Sequence, residues 1–352
     1  MEDVTREDLA SLVRLDRLGP ALAAALGDER WLRAHASLLA GGKSNLTFEI
    51  ACEAGAVVLR RPPSGALLPR AHDMRRESRV QRALRGTAVP AAEVLLEDLE
   101  GDLAGVPLYV MEKVSGHVVR YVLPSEYAST ADERVLLADT LVDVLAELHA
   151  VDPAAIGLAD LGRPEGFLER QVRRWQGQSA RSRTHEVRVL EELGNRLTAA
   201  LDDIPRSRAS VVHGDYRLDN CLRDPRDPGR IAAVLDWELS TLGDPLTDLG
   251  LLLFYWREPG ETVSLLTPTV TNLPGFPNRA HLAARYAAAT GADLGHLAFY
   301  EALAHFKFAV IVQGIAARVA AGVMAGQDFG DLDSEVVRCC EAGLERLAEG
   351  KL

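Results

Sequence analysis

The hydrophobic pattern of this 352-residue chain changes period near residue 117, and that change limits the folds open to it. From about Trp31 to Pro62 the sequence reads as apolar run, Gly-rich turn, alternating run, Gly turn, apolar run, which predicts a three-stranded meander. Leu46, Phe48 and Ile50 alternate with Thr47 and Glu49, as in a strand with one buried face. "DMRRESRVQRALRG" then reads as a helix closed by Gly86, and "AEVLLEDL" and "PLYVMEKVSG" as two more strands. Ahead of these, residues 5 to 26 carry apolar positions at helical spacing and predict one N-terminal helix. Residues 1–116 are therefore expected to form a small β-rich lobe with a leading helix, a five-stranded sheet and one further helix. Residues 117–352 are expected to form a larger, mainly helical lobe that opens on the amphipathic stretch Glu133 to Ala150. The predicted fold class is α+β and bilobal.

One β interruption breaks the helical half. "SVVHGDYRLDNCLRD" and "IAAVLDWELS" flank the turn "PRDPGR", as short strands carrying polar residues at their ends. Asp215, Asn220 and Asp236 stand at those ends. Each alone would suit a turn, since Asp and Asn favour turns. The order along the chain is a Gly-containing hairpin, a basic residue on the third strand, a helix with an acid, then an Asp/Asn loop and an Asp turn. Protein-kinase-like folds present their parts in this order.

The residues "VLRRPP", "VHGDYRLDN" and "LDWELSTLGDPLTDLG" resemble the aminoglycoside phosphotransferase family. Within it they are most similar to the branch found as a kinase-like domain fused to some acyl-CoA dehydrogenases. The resemblance covers roughly residues 30 to 345 and implies a protein-kinase-like fold. "HGDYRLDN" would be the catalytic loop, with Asp215 aimed at an acceptor hydroxyl and Asn220 at Mg²⁺. "LDWE" would be the metal-binding turn, with Asp236 as the second ligand. An amide oxygen and a carboxylate suit so hard a cation. Arg217 stands where protein kinases keep a Lys near the transferring phosphate. His213 and Asp248 would brace the loop, and Asp244 would cap the following helix. Trp237 and Trp256 read as core.

For the nucleotide, ATP or GTP, "LAGGKSNLTF" supplies Gly42, Lys43 and Ser44 as a cover for the phosphates. It is not a Walker A motif, since G-x-x-x-x-G-K-[ST] is absent. Arg60 takes the place of the usual strand Lys, with Arg61 facing the other way and Glu77 as the partner of Arg60 on the helix. Arg brings planar fork geometry in place of a point charge. "YVMEKVSG" resembles the linker between lobes. Met111 would wall the purine site, and the backbone at Glu112 and Val114 would bond the base. An ordinary edge strand is the alternative for this segment.

Composition narrows the function further. The net charge of -12 argues against a general nucleic-acid binder. Cys52, Cys221, Cys339 and Cys340 lack C-x-x-C spacing, which reads as reduced thiols in a cytoplasm. The charged N-terminus lacks an apolar signal core, and "FAVIVQGIAARVAAGVMAG" from Phe308 reads as a buried core helix, with no membrane partner expected. Residues 257 to 280, rich in Pro, Thr and Asn, read as a long surface loop. The expected activity is Mg²⁺-dependent transfer of a γ-phosphate to a small-molecule hydroxyl, either of a hydroxyacyl-CoA or of an aminoglycoside-like compound. Arg170, Arg173, Arg174, Arg181 and Arg183 are candidates for the CoA ester, with an exposed helix face as their alternative. The rival class is a non-catalytic nucleotide-binding module. A phosphohydrolase would need more His and Asp ligands for two metals.

Overall fold

The computed structural model describes residues 6–39, 45–63, 73–262, 264–324 and 328–350. The chain divides into two compact units, Met1–Gly116 with Ala232–Ser240, and His117–Ile231 with Thr241–Leu352.

In the first unit the single N-terminal helix expected is two, α1 (Arg6–Val13) and α2 (Leu15–Leu26). Arg14 between them adopts φ 51° and ψ 56°, a left-handed conformation that ends a right-handed helix. Its guanidinium donates to both Asp16 carboxylate oxygens at 3.0 and 2.9 Å, holding the break. The sheet follows with β1 (His35–Leu38), β2 (Leu46–Cys52) and β3 (Gly55–Arg61), then α3 (Met74–Leu84), β4 (Val94–Asp98) and β5 (Leu108–Glu112). The strand order is β1-β2-β3-β5-β4, antiparallel throughout. Strand β5 therefore lies inside the sheet between β3 and β4, which overturns the edge-strand alternative.

The alternation seen in sequence sorts the two faces of the sheet. Phe48, Ile50, Val57, Leu59, Leu108 and Val110 pack with Val13, Leu18 and Leu22 on one side. Val58, Tyr109 and Met111 pack with Met74 of α3 on the other. Gly86, at φ 83°, follows the end of α3 and leaves the helix there, as a Gly can without steric cost. The segment 232–240 joins this unit through the Val234 amide, which donates to the Pro90 carbonyl at 2.8 Å. Arg76 adds a bond from Nη1 to the Ser240 carbonyl at 2.7 Å.

The second unit opens with α4 (Ala131–Ala150), started by a reciprocal capping box between Thr130 and Glu133. Next come α5 (Phe167–Ser182) and α6 (Arg188–Ala200), then β6 (Ser210–Val212) and β7 (Cys221–Arg223); β8 (Ile231–Val234) falls almost wholly in the 232–240 segment of the first unit, and the second unit resumes with β9 (Thr241–Gly243). Strands β6 and β9 pair antiparallel, with Val211 opposite Leu242. The helices α7 (Leu246–Tyr255), α8 (Arg279–Thr290), α9 (Leu297–Ala320) and α10 (Leu332–Glu349) complete it.

Two expectations are corrected in this unit. The apolar stretch expected from Phe308 belongs to a helix that begins eleven residues earlier, at Leu297, and stops at Ala320. That helix is long and apolar enough to cross a membrane, and half of it is buried inside this unit against α5, α7 and α10. Residues 257–280 are not purely a surface loop, because Ser264, Thr267, Val270 and Thr271 are buried. Backbone bonds draw the segment inward: the Thr269 and Val270 amides both donate to the Arg120 carbonyl, at 3.1 and 3.2 Å.

Candidate active site

In the second unit, β6 delivers the loop 213–220 directly behind two buried β-branched residues, Val211 and Val212. A loop so placed must satisfy its backbone groups internally. Asp248, buried in the first turn of α7, accepts from the His213 amide at 2.6 Å and the Gly214 amide at 2.8 Å. Its second tie is to His149 Nε2, at 3.3 Å, and His149 Nδ1 lies 2.7 Å from the Tyr286 hydroxyl. Burial works against the Asp248 charge, and the bonds from His149 and His213 outweigh it, so its carboxyl lies below the usual range. His213 Nδ1 accepts from the Asp215 amide at 3.2 Å. Asp244 accepts from the Leu246 amide at 3.0 Å and from the Tyr300 hydroxyl at 2.7 Å.

Asp215 and Asn220 come together within this loop. The Asn220 amide nitrogen donates to the Asp215 carbonyl at 2.8 Å and to its carboxylate at 3.1 Å. Both bonds engage the Asn220 amide nitrogen and leave its amide oxygen out of them. Arg217 pairs through Nε with Asp215 at 3.3 Å and with Asp219 at 3.4 Å, and its guanidinium lies 4.9 Å over the Tyr255 ring. Asp219 also pairs with Arg120 at 3.4 Å. Burial pushes the Asp219 carboxyl up, against the pull of those two arginines.

In the first unit a second cluster forms from three separate elements. Arg60 of β3 pairs through Nε with Glu77 of α3 at 3.0 Å and through Nη2 with Asp236 at 3.2 Å. The fork of a guanidinium allows both contacts at once. Asn45 donates to Glu77 at 3.4 Å and to Glu238 at 3.1 Å. Burial opposes the Arg60 charge, but Glu77, Asp236 and Glu238 more than offset it, so the guanidinium is held charged more firmly than usual. Burial pushes Glu77 up to about 7, with Arg60 pulling the other way.

Asp236 adopts φ 66° and ψ 60°, a left-handed backbone that Asp tolerates better than most residues. Arg61 lies on the opposite face of β3 from Arg60, as the alternation predicts, and donates to the Leu12 carbonyl at 2.6 Å. Met111 is buried and receives a bond from Gln81 Nε2 at 3.3 Å. The Glu112 amide donates to the Glu93 carbonyl at 2.9 Å, while the Val114 amide and carbonyl have no backbone partner among the described residues. Gly42, Lys43 and Ser44 lie outside the described residues.

The donor sets are all oxygen. Asp236 has one carboxylate oxygen on Arg60 and the other left over, and Asn220 keeps an amide oxygen. In the Arg60 cluster Glu77, Asp236 and Glu238 outnumber the one guanidinium, and carboxylate oxygens are of the kind a hard divalent cation takes, although no group of three or more His, Cys, Asp or Glu able to hold a metal forms among the described residues.

Sequence reasoning passed over several residues. Lys307 of α9 donates from Nζ to the Gly214 carbonyl at 2.7 Å, and a lysine inside the run "HFKFAVIV" was the available signal. Arg120 pairs with Asp219 of the 213–220 loop, and His149 reaches that loop through Asp248, both from positions far away in sequence. Asn45 and Glu238 lie inside the quoted motifs "LAGGKSNLTF" and "LDWE" without having been singled out. Tyr255 gave no signal at all. Of the five arginines proposed on α5 and just beyond it, Arg170 turns to the carbonyls of Arg163 and Glu165, and Arg183 pairs with Glu191. Only Arg174 bears on Lys307, and its guanidinium lies 5.4 Å over the Trp175 ring.

A small antiparallel sheet with one helix on a face, a loop of Asp and Asn clamped by a buried Asp, and an Arg–Glu–Asp cluster define a kinase-like phosphotransferase fold. The chain belongs to the phosphotransferase enzyme family, whose model matches residues 35–301. It is similar to acyl-CoA dehydrogenase family member 11 of Rattus norvegicus, at 35% identity over 86% of this chain and 39% of the relative. The chain thus spans well under half the length of that relative. A provisionally named aminoglycoside phosphotransferase from Ralstonia eutropha is 32% identical, with a TM-score of 0.78 over 93% of this chain and 98% of that one. A thermostable aminoglycoside phosphotransferase variant solved with ADP and hygromycin B shares the fold, at 17% identity and a TM-score of 0.60, over 94% of this chain and 98% of that one.

Proposed function

We propose that this protein transfers the γ-phosphate of ATP or GTP to a hydroxyl of a small molecule, with Mg²⁺ bound by Asn220 and Asp236. The observation that carries the reading is the state of the loop. Asp215 is held by Asn220 at 3.1 Å, on a backbone that the buried Asp248 clamps at 2.6 and 2.8 Å. A loop kept for stability alone would not need two acids and an amide fixed so closely.

Phosphoryl transfer has a loose transition state, so the protein's work is positioning and charge neutralisation. Asp215 orients the acceptor hydroxyl and accepts its proton late in the reaction. Arg217 offers positive charge toward the transferring phosphate. Arg60 carries the charge for the nucleotide phosphates, and Glu77 sets its orientation. The Val114 backbone is available to the base beside Met111. Mg²⁺, when bound, neutralises charge on the phosphates.

For the acceptor, the reading favours a hydroxylated acyl thioester over an aminoglycoside. The similarity to a dehydrogenase-family chain supports it. At Asp215, Arg217 also supplies positive charge, which suits an anionic acceptor better than a polycation. The test is phosphate transfer from γ-labelled ATP and GTP with Mg²⁺, across hydroxyacyl-CoAs and aminoglycosides, with Asp215→Asn as control. Transfer that survives the substitution would refute the role of Asp215. Nucleotide binding with no turnover on any acceptor or on water would favour the non-catalytic module.

A further inference from the structure

Lys307 lies in α9 between two buried phenylalanines, Phe306 and Phe308. An ammonium in an apolar helix is costly unless it is bonded or paired. Its bond is specific: Nζ donates to the Gly214 carbonyl at 2.7 Å, and the Trp175 ring lies 5.9 Å away. The charged groups that bear on it are Asp215 of the loop and Asp248 of α7, which favour the ammonium, and Arg174 of α5 and Arg217 of the loop, which oppose it. Burial is the largest influence and lowers its affinity for the proton.

The Gly214 carbonyl and the Asp215 amide belong to one peptide plane. Lys307 holds the carbonyl end, and His213 Nδ1 accepts from the amide end at 3.2 Å. The preceding plane is fixed by Asp248, which accepts from the Gly214 amide at 2.8 Å. Gly214 itself sits at φ 83°, a conformation in which few residues other than Gly are at ease, and because Gly is permissive the direction of the plane is left to these bonds.

We propose that Lys307 is a positioning residue for Asp215: its ammonium pins the Gly214 carbonyl and, with His213 on the next amide, fixes the peptide plane that carries the Asp215 side chain. The inference deepens the phosphotransferase reading and rests on it for its consequence in turnover. Its structural content, the pinning of the loop, stands separately. Lys307 would never touch the acceptor. It would set the direction from which Asp215 meets the hydroxyl.

The experiment compares Lys307→Met and Lys307→Arg with the wild-type chain by two readouts. The first is hydrogen exchange of the Gly214 and Asp215 amides, which needs no acceptor. Lys307→Met is expected to speed their exchange at least tenfold relative to the α10 amides, and Lys307→Arg to restore most of the protection. The second is Mg-ATP and Mg-GTP turnover, onto an acceptor or onto water. In Lys307→Met, kcat is expected to fall about a hundredfold with the nucleotide KM within about twofold, as for a misplacement near 1 Å. If Lys307→Met does not fold, Lys307→Leu, which also lacks a donor for the Gly214 carbonyl, carries the same comparison. A folded Lys307→Met with wild-type exchange at these two amides overturns the proposal, whatever its turnover. Faster exchange in a protein whose wild type turns over no nucleotide at all would leave the pinning intact and overturn the phosphotransferase reading instead.

Discussion

The two clusters of candidate site residues are built on different physics. In the first unit, Arg60, Glu77 and Asp236 are held by ion pairs between side chains from three elements, with a buried carboxylate among them. In the second, the loop around Asp215 is held mainly through its backbone, with Asp248 on two amides and Lys307 on a carbonyl. A side-chain cluster can change its charge state without unfolding anything. A backbone clamp cannot be loosened without moving the residue it carries. Under the proposed function, the first arrangement would suit a site that exchanges a charged nucleotide, and the second a site whose geometry must stay fixed.

The largest expected effect separates chemistry from clamping. Asp215→Asn should lower the transfer rate by about 10²–10⁴-fold, the usual worth of a positioned acid–base group, with the unfolding midpoint nearly unchanged. A fall in stability comparable to the fall in rate would erase the distinction between Asp215 and its clamp. Next, Asp248→Ala should cost about 3–5 kcal/mol by urea unfolding, since it leaves the His213 and Gly214 amides without their buried acceptor. Its carboxyl lies below the usual range, so this contribution is present above the unfolded value and is lost as pH falls through the lower, folded one.

The first cluster should behave in the opposite way with pH. Glu77 rises from 4.5 to about 7 on folding, so the folded state holds its proton more tightly than the unfolded chain. Stability from this group is full below 4.5, declines as pH rises to about 7, and is level above that. The span is on the order of 3 kcal/mol. Melting wild type and Glu77→Gln side by side from pH 4.5 to 8 checks it, because the variant should lack the slope. The smallest effect is expected for Arg60→Lys. A single ammonium cannot reproduce the fork to Glu77 and Asp236, so about 1.5 kcal/mol of stability should go, roughly one charged hydrogen bond. A variant as stable as wild type would show that the second contact contributes nothing.

Some of this was legible in the sequence for physical reasons. Strand alternation in "LTFEI" follows from one buried face, and it placed Phe48 and Ile50 correctly. The same period of two put Arg60 and Arg61 on opposite faces of β3. The crowding in "HGDYRLDN" marked a loop whose contacts are local, and Asp215 and Asn220 do meet within it, while the roles expected of them came from the family resemblance. The break at Arg14 was not legible, because it is a backbone state at a residue whose side chain gives no warning. The buried course of residues 257–280 was hidden too, since a Pro- and Thr-rich composition reads as exposed while its amides are drawn to a carbonyl far back in sequence.

The sequence by itself determined the periods of its elements, the order of its motifs and the residue types able to bind phosphate and metal. These depend on neighbours within a few positions, where covalent geometry decides what can meet. Only the tertiary structure decided that residues 232–240 cluster with the N-terminal sheet, that β5 is an inner strand, and that His149, Lys307 and Asp248 converge on one loop. Those contacts join residues tens to more than a hundred positions apart. What brings them together is burial of apolar surface, which has no direction along the chain and fixes partners only once the whole core is packed.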